Sequence, residues 1–560
     1  MNALSPANEG NFSNADFGLT GSAEEPSKED LIRWARGEDI RDEDNDPATT
    51  TRKFMGDPLH SQPAAIVYGG TAAAPEAVVF AATNDGYLHA IDASTGNELW
   101  SFIPKELLPN LIKLYINPDS QFKNYGIDGD IVPVVKDVDG DGIVDAGDGD
   151  FVYILFGMRR GGNSYYALDV TNKNSPNLKW VASPPGGGQT WSTPTVVRMN
   201  IDDNNLNTEQ AVVVIGGGYD NVHDSMPHPT TPDAAGNGIY FLDLESGDVL
   251  WRAGIDGAAE LTLSGMTRAF PNQIRVVDLN GDRFADRMYA SDLGGQIWRF
   301  DIFGGKQPDG IGPDALVTGG VIAQLGAEGL GSPTFEDTRR FYNATDVAIF
   351  DDFSQSRRFL AISIGSGYRA HPLDNTNNDR FYSIRDKDVF NRLSQADYDS
   401  YDIVDENDLV EVSGSVGAVI GANDRGWKLT LPANQKVLAT SITFNNEVFF
   451  VAFAPDITAA ATCSAGIGRN FLYRVSIRNG DPIGDLSSVV PGTEDALRVT
   501  DLAQGGIAPS ARFLFPSPDD PDCVGEECSP PPIACVGVEC FNPGFPNNPV
   551  RTLWTQDGVE

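Results

Sequence analysis

The stretch Ile239-Tyr-Phe-Leu-Asp-Leu-Glu-Ser-Gly-Asp-Val-Leu-Trp251 decides the fold, because it joins two strand patterns through a tight turn. Its first five residues read apolar–aromatic–x–apolar–Asp, and in a strand such alternate side chains point to opposite faces. Asp243 can bond the backbone of the following turn, where Gly247 supplies a positive φ. Trp251 lies on the strand after this turn, where its large ring can pack against a neighbouring unit. The stretch predicts a β-hairpin that stacks on another one.

Both halves of this stretch recur along the chain. Copies of the strand motif lie at 88–92, 165–169 and 297–301, with weaker copies at 381–385 and 472–476. Each copy follows another strand-like run that ends in glycines or a turn. The Asp–Gly–Trp spacing occurs again at Asp92, Gly96 and Trp100, and it resembles the tryptophan-docking motif of quinoprotein-type propellers.

Successive copies are 58 to 91 residues apart, more than the roughly 40–50 residues of a minimal blade. Radial repetition with long inserted loops explains such steps, so the pattern predicts a propeller of six or seven blades. We expect the last blade to be shared between a strand near 64–68 and a C-terminal strand. The fold class is therefore all-β, a modified and quinoprotein-like β-propeller.

The propeller is assigned to residues 61–515. Before it we expect a disordered segment, 1–27, and a short helical lead-in, 28–60. The lead-in contains an amphipathic helix over 28–36, with Leu31, Ile32 and Trp34 on its apolar side. After the propeller comes a tail rich in proline and cysteine, 516–560.

The charge balance excludes two classes of partner. With 40 Lys plus Arg against 79 Asp plus Glu, the formal net charge is −39. Nucleic acids and anionic membrane surfaces are bound through basic faces, so neither is expected here. No run of 18 apolar residues occurs, and therefore no membrane span is predicted. The balance fits a surface protein or one that binds divalent cations.

The cysteines indicate an oxidising compartment. Four of the five lie in two copies of one pattern, Cys523–Cys528 and Cys535–Cys540, whose C-x₄-C spacing and lack of companion histidines favour disulfides over a metal site. Either each pair closes locally, or Cys463 reaches one tail cysteine; the larger loop of the second arrangement favours it. Residues 1–27 lack the pattern of a signal peptide, so we expect an export signal before this segment.

Two loops rich in oxygen donors carry the clearest chemistry. In the loop that begins at Asp137, here called the 137 loop, carboxylates fall at positions 1, 3, 5, 9 and 12 of the EF-hand scheme, with glycine at position 6 and a carbonyl at position 7. The predicted ligands are Asp137, Asp139, Asp141, Ile143 (carbonyl), Asp145 and Asp148. So many carboxylates repel one another unless a hard cation such as Ca²⁺ neutralises them. The alternative is a solvated acidic turn.

The loop that begins at Asp278, here called the 278 loop, repeats positions 1, 3, 5, 7 and 9 of the EF-hand scheme with fewer charges. Its predicted ligands are Asp278, Asn280, Asp282, Phe284 (carbonyl) and Asp286. Arg283 replaces the helpful glycine, and position 12 is Tyr289, so this loop should bind calcium more weakly. A solvated turn is again the alternative.

Several longer runs resemble the PilY family of type IV pilus tip proteins. They include the segments 276–301, 365–372 and 446–453, and the first of these resembles the family's calcium loop and the blade after it. The resemblance implies a seven-bladed modified propeller and assigns the family's calcium ligands to Asp278, Asn280, Asp282, the carbonyl of Phe284 and Asp286. It also implies an exported, non-enzymatic protein at the cell surface or pilus tip. Minor pilins would be its partners, and its roles would lie in pilus extension and retraction, twitching motility, and adhesion to a host or abiotic surface.

Two other classes share parts of the pattern. Quinoprotein dehydrogenases, which pair pyrroloquinoline quinone with calcium, use the same docking motif, but the adjacent cysteine pair that caps their cofactor is missing from this chain. Integrin-α-like propellers carry acidic loops in their blades, whereas only two such loops occur here. Both classes stay open as alternatives.

Overall fold

A computed structural model describes residues 3–545 with internal gaps. Outside the description lie 1–2, 53, 120–122, 202–208, 226–230, 304–315, 327–333, 353–356, 457–466, 485, 487–489, 491, 517–529 and 546–560. Strands dominate the described residues and form seven separate sheets. The fold is therefore a seven-bladed β-propeller.

Strands of the first four blades pair mainly antiparallel and in chain order. The first blade has β1 Ala64–Thr71, β2 Ala74–Ala82, β3 Leu88–Asp92 and β4 Glu98–Phe102; the second has β5 Ile131–Lys136, β6 Phe151–Gly157, β7 Tyr165–Asp169 and β8 Asn177–Ala182. The third has β9 Thr195–Asn200, β10 Glu209–Gly216, β11 Gly238–Asp243, β12 Val249–Gly254 and β13 Leu261–Thr262; the fourth has β14 Arg275–Val277, β15 Arg287–Ser291, β16 Gln296–Ile302 and β17 Val317–Gln324.

The remaining blades are less regular. The fifth has β18 Asp346–Asp352, β19 Arg357–Gly365, β20 Arg380–Asp386, β21 Val410–Glu411 and β22 Gly426–Thr430; the sixth has β23 Lys436–Val437, β24 Ile442–Phe444, β25 Glu447–Ala454, β26 Arg469–Ser476 and β27 Val499–Leu502. The seventh has β28 Arg512–Leu514, β29 Ile533–Val536 and β30 Glu539–Phe541. The helices are α1 Lys28–Ala35, α2 Leu108–Ile116, α3 Val222–Ser225 and α4 Gln395–Asp399. Among the described residues, no helix has the length and apolarity needed to cross a membrane.

All six copies of the sequence motif form strands, as predicted, and each is the third paired strand of its blade: β3, β7, β11, β16, β20 and β26. Their alternation buries apolar side chains between neighbouring blades. Phe80 of the first blade and Phe156 of the second, both fully buried, lie in one such cluster. Burying a side chain of this size contributes about 2–3 kcal/mol.

Tryptophans tie successive blades together, which confirms the predicted docking. The indole N–H of Trp180 donates to the carbonyl of Leu244 in the third blade at 2.8 Å. Gly247, at φ +75°, lies under that ring, and a Cβ there would come within 2.7 Å of it. Two further tryptophans donate to the next blade: Trp100 to Lys173 at 2.8 Å and Trp427 to Ile477 at 3.0 Å. Glycine at the turn is therefore a packing requirement.

The prediction of disorder for 1–27 is wrong for residues 3–27. They contain 3₁₀ turns at Pro6–Asn11 and Ala15–Phe17, and Phe17 is fully buried. Its ring lies in a cluster with Leu31 of α1 and Leu111 of α2, because the two helices expose an apolar face that this segment covers. Leu31, Ile32 and Trp34 are buried as predicted.

The predicted boundary at 516 and the predicted closure of the ring are also wrong. Strands β29 and β30 lie inside the expected tail; β29 pairs with β28 on one side and with β30 on the other, in a sheet of their own. In the described part of the chain, β1 pairs with β2 and with no C-terminal strand. The run 533–536 contains β-branched residues before a turn at Gly537, and Cys535 is bonded to Cys540 across it. This local hairpin supplies the seventh blade.

Candidate metal centres

The 278 loop connects β14 to β15 in the fourth blade and begins at a buried carboxylate. Asp278 Oδ1 accepts the N–H of Gly281 at 2.7 Å, and its Oδ2 accepts the N–H of Arg283 at 2.8 Å. Arg283 takes a left-handed φ of 73°, which costs a residue other than glycine about 1 kcal/mol. The replacement of glycine therefore leaves the turn in place.

The next two predicted ligands, Asn280 and Asp282, are hydrogen-bonded to each other. The side-chain oxygen of Asn280 accepts the N–H of Asp282 at 2.8 Å, while its amide donates to Asp282 Oδ2 at 2.9 Å. Asp282 Oδ1 accepts the N–H of Phe284 at 2.9 Å. The 278 loop is thus held in shape by hydrogen bonds between its own side chains and backbone.

Asp286 closes the 278 loop directly before β15. Its Oδ2 accepts the N–H of Leu279 at 2.8 Å, and its Oδ1 forms an ion pair with Arg392 at 2.5 Å. Burial raises the pKa of Asp286, although the N–H of Leu279 and the charge of Arg392 oppose that shift. Arg392 was not predicted, because it follows Asp286 by more than a hundred residues.

The 137 loop, residues 137–150, has the same internal pattern between β5 and β6. Asp137 accepts the N–H groups of Gly140 at 2.7 Å and Gly142 at 2.8 Å, and these bonds lower its pKa. Ligand oxygens of Asp137, Asp139 and Asp141 lie within 4.8 Å of one another. The N–H of Asp141 lowers the pKa of Asp139, but desolvation and the charges of Asp141 and Asp137 outweigh it, so that this pKa is raised.

The other two carboxylates predicted for the 137 loop do not join this group. Asp145 accepts the N–H of Gly147 at 2.7 Å and caps the 3₁₀ turn Ala146–Asp148, which carries Asp148 away from the first three. Asp150 takes the closing position instead: its oxygens accept the N–H of Val138 at 2.8 Å and of Asp145 at 3.0 Å. Only 5% of Asp150 is exposed.

Asp150 corresponds to Asp286 of the other loop. Each accepts the N–H of the residue that follows the first aspartate, and each directly precedes the second strand of its blade. Counting positions on the EF-hand scheme missed Asp150, because the segment 145–149 is inserted before it. Alignment of the two loops on the following strand would have found it.

A buried ionic network lies behind the 278 loop. The guanidinium groups of Arg287 and Arg299 contact Asp301 at 2.7 and 2.9 Å, and Arg299 also contacts Asp386 at 3.0 Å. All four side chains are fully buried. Asp301 also accepts the N–H of Leu393 at 2.9 Å, next to Arg392. The loop, the fourth blade and the segment after β20 are therefore coupled through charge.

Fold and loops together define a class: a seven-bladed propeller with oxygen-rich loops between the first and second strands of two blades. Within that class, residues 50–348 match the family model for the PilY1 beta-propeller domain. This match covers more than half of the chain, and the chain belongs to the PilY1 β-propeller family. Of the three classes that the sequence left open, the family match selects the pilus type.

Similar proteins agree with this assignment. The type IV pilus biogenesis factor PilY1 of Pseudomonas aeruginosa strain PAO1 is 31% identical over 309 residues, which cover 50% of this chain and 23% of that protein. A PilY1 homologue of Xylella fastidiosa strain Temecula1 is 25% identical over 467 residues, covering 77% of this chain and 28% of the homologue. The chain thus spans about a quarter of the length of these curated relatives.

A solved structure supports the fold independently of these alignments. The crystal structure of the P. aeruginosa PilY1 C-terminal domain matches with a TM-score of 0.55 and 19% identity. The match covers 83% of this chain and 92% of that one. At this identity the likeness establishes a common fold.

Proposed function

We propose that this chain is the calcium-binding propeller of an exported type IV pilus biogenesis factor. In this role it contributes to the control of pilus extension and retraction and to adhesion. One observation carries the proposal: the family match over 50–348 includes the 278 loop, whose donors have calcium spacing. Minor pilins at the pilus tip are the expected partners, and the exposed face would meet a host or abiotic surface.

The donors of the 278 loop fit a hard cation. Side-chain oxygens of Asp278, Asn280, Asp282 and Asp286, with the carbonyl of Phe284, would hold Ca²⁺, which prefers six to eight oxygens in flexible geometry. Nitrogen and sulfur donors are missing from this set, which disfavours zinc. When bound, the ion would neutralise the three carboxylates.

The 137 loop fits a second ion with a revised ligand set. Asp137, Asp139, Asp141 and the carbonyl of Ile143 keep the roles that the sequence predicts. Asp150 replaces Asp145 and Asp148 as the closing carboxylate, since its position matches Asp286. Because this loop has four carboxylates against three and a glycine at its sharp turn, we expect it to bind calcium more tightly than the 278 loop.

The ion at the 278 loop would act as an ordering switch. Without it, the carboxylates repel one another and Asp286 is held by Arg392, so the loop opens locally while the propeller stays folded. Calcium binds only the ordered loop and shifts the population toward it. Arg392 then loses its ion pair with Asp286, and the segment that carries Arg392 lies against the fourth blade.

Export is supported by the disulfide Cys535–Cys540, since such bonds persist in oxidising compartments. This pair closes locally. Cys463, Cys523 and Cys528 lie outside the described residues, so the predicted bond between Cys463 and the tail stays a prediction.

Calcium titration calorimetry tests the binding. The parent should show two sites of unequal affinity, Asp139→Ala should lose the tighter one, and Asp282→Ala should lose the weaker one. Asp501→Ala, which removes an exposed carboxylate of the sixth blade, is the matched control and should keep both. A parent chain without calcium binding at about 1 mM would refute the metal sites.

Motility tests the biological role. Cells carrying Asp286→Ala in the full-length protein should export it at parental levels but differ in pilus number or twitching. The Asp501→Ala control should match the parent. If Asp286→Ala cells matched the parent at every calcium level, any ion at the 278 loop would be structural.

A further inference from the structure

A cavity of about 1360 Å³ runs along the propeller axis, and it contains neither calcium loop. Its walls come from the first strands of several blades, and one end is formed by loops that join the strands of these blades. This end, the channel mouth, is lined by Arg159, Arg369, Trp191 and Tyr342. Polar side chains that converge on a concave surface are the usual setting of a ligand site.

Arg159 has no partner for its charge. Among the described residues, its guanidinium makes neither an ion pair nor a hydrogen bond, and its Nε is buried without a partner. It lies over the indole of Trp191, 4.5 Å from the ring centroid. The backbone of Arg159 is left-handed, at φ 47°. A strained backbone that holds a partly buried charge without an ion pair is typical of a functional position.

Arg369 brings a second poorly compensated cation to the same place. Its guanidinium donates to the carbonyl of Leu438, and no carboxylate within the described part of the chain forms an ion pair with it. Burial lowers the pKa of Arg369 to about 10, and the charge of Arg159 adds to that effect. Burial likewise lowers the pKa of Arg159. Two such cations stand out in a chain whose formal charge is −39.

The nearby carboxylates are already engaged by other groups. Asp128 bonds the ring of His60 at 2.6 Å and the amide of Asn84 at 3.2 Å. Asp130 accepts from the N–H of Gln62 and the hydroxyl of Thr193, both at 3.2 Å. They weaken the positive potential of the mouth without pairing with either arginine. A singly charged group therefore fits better than a phosphate with two charges.

We propose that Arg159 and Arg369 form a binding site for a carboxylate ligand at the channel mouth. Guanidinium groups match a carboxylate through paired N–H donors, and Trp191 fixes the plane of Arg159. The carboxylate belongs either to a small organic acid or to an acidic side chain of a peptide segment. The site needs neither the calcium loops nor the proposed role in pili.

Two probes distinguish these sources. Glutarate represents the free acid, and an amidated peptide Gly-Gly-Asp-Glu-Gly-Gly represents the peptide; its Asn-Gln counterpart is the blank. Calorimetry on the full chain should show binding of at least one acidic probe and none of the blank. Binding of glutarate alone identifies the free acid, and binding of the peptide alone identifies a protein segment. Each result supports the site.

Variants locate the binding. Arg159→Gln and Arg369→Gln should each weaken it by at least about tenfold, as expected for a charge-assisted pair. Arg358→Gln is the control, since this arginine also lines the cavity but is paired with Asp351 at 2.5 Å. It should bind as the parent does.

A stability measurement separates loss of the site from loss of the fold. Arg159→Gly removes the unpaired charge and relieves the left-handed backbone, so it should melt at or above the parent temperature while losing the ligand. If the parent binds neither acidic probe at about 10 mM, the channel mouth holds only water and the proposal is overturned. Undiminished binding in both arginine variants would overturn it as well.

Discussion

The calcium ion that we propose for the 278 loop would have to compete with Arg392 for the carboxylate of Asp286. The two side chains form an ion pair at 2.5 Å, in which Asp286 is 7% exposed and Arg392 is 37% exposed. Replacing Arg392 by glutamine keeps a side chain of similar reach but removes the charge. We therefore expect Arg392→Gln to bind calcium more tightly at this loop.

The size of the effect follows from the exposure of Arg392. Ion pairs that solvent can reach contribute about 0.2–1 kcal/mol, so the pair is placed at the upper end of that range because Asp286 is buried. About 1 kcal/mol corresponds to about fivefold in Kd. Removing a cation from the neighbourhood of Ca²⁺ acts in the same direction.

The measurement is calorimetry in the Asp139→Ala background, where only the 278 loop should titrate. Arg469→Gln removes another exposed ion pair, with Asp501 in the sixth blade, and serves as the control. It should leave Kd unchanged. If Arg392→Gln binds calcium with the same or lower affinity than its background, the competition argument is refuted.

Three further predictions concern stability. Burial raises the pKa of Asp346 to about 6, so ionising this carboxyl in the folded protein is unfavourable. The free energy of unfolding therefore falls as the pH rises from about 4 to about 6. Asp346→Asn should add about 3 kcal/mol at pH 7 and flatten this profile in urea titrations; a profile that keeps its slope would point to another group. Asp301→Asn leaves two buried arginines undercompensated and should cost about 3–5 kcal/mol, read from the urea midpoint, whereas an exposed control, Asp248→Asn, should change little. Replacing Cys535 and Cys540 by serine opens a short loop worth about 2 kcal/mol, and faster amide exchange should stay within the seventh blade.

The repeat of strands could be predicted from the sequence because residues close together in the chain specify each strand and each turn of a blade. The alternation around Asp243 specifies a half-buried strand, and the turn at Gly247 follows from residue chemistry alone. All six motif copies are accordingly strands of blades. The first of the proposed ligands in both loops, such as Asp137 and Asp278, could likewise be proposed from spacing within a few residues.

The features that the sequence did not reveal depend on contacts between distant segments. Arg392 meets Asp286, and Trp180 meets Gly247, only after the blades have packed together. Phe17 is buried because α2, a helix far along the chain, packs with α1 against it. Asp150, which we propose as a ligand in place of Asp145 and Asp148, closes the 137 loop because a short turn is inserted before it, and no fixed count of positions records such a turn. The stacking of Arg159 on Trp191 at the channel mouth has the same origin. Local pattern determines strands and turns, whereas the packing of the blades determines which side chains meet.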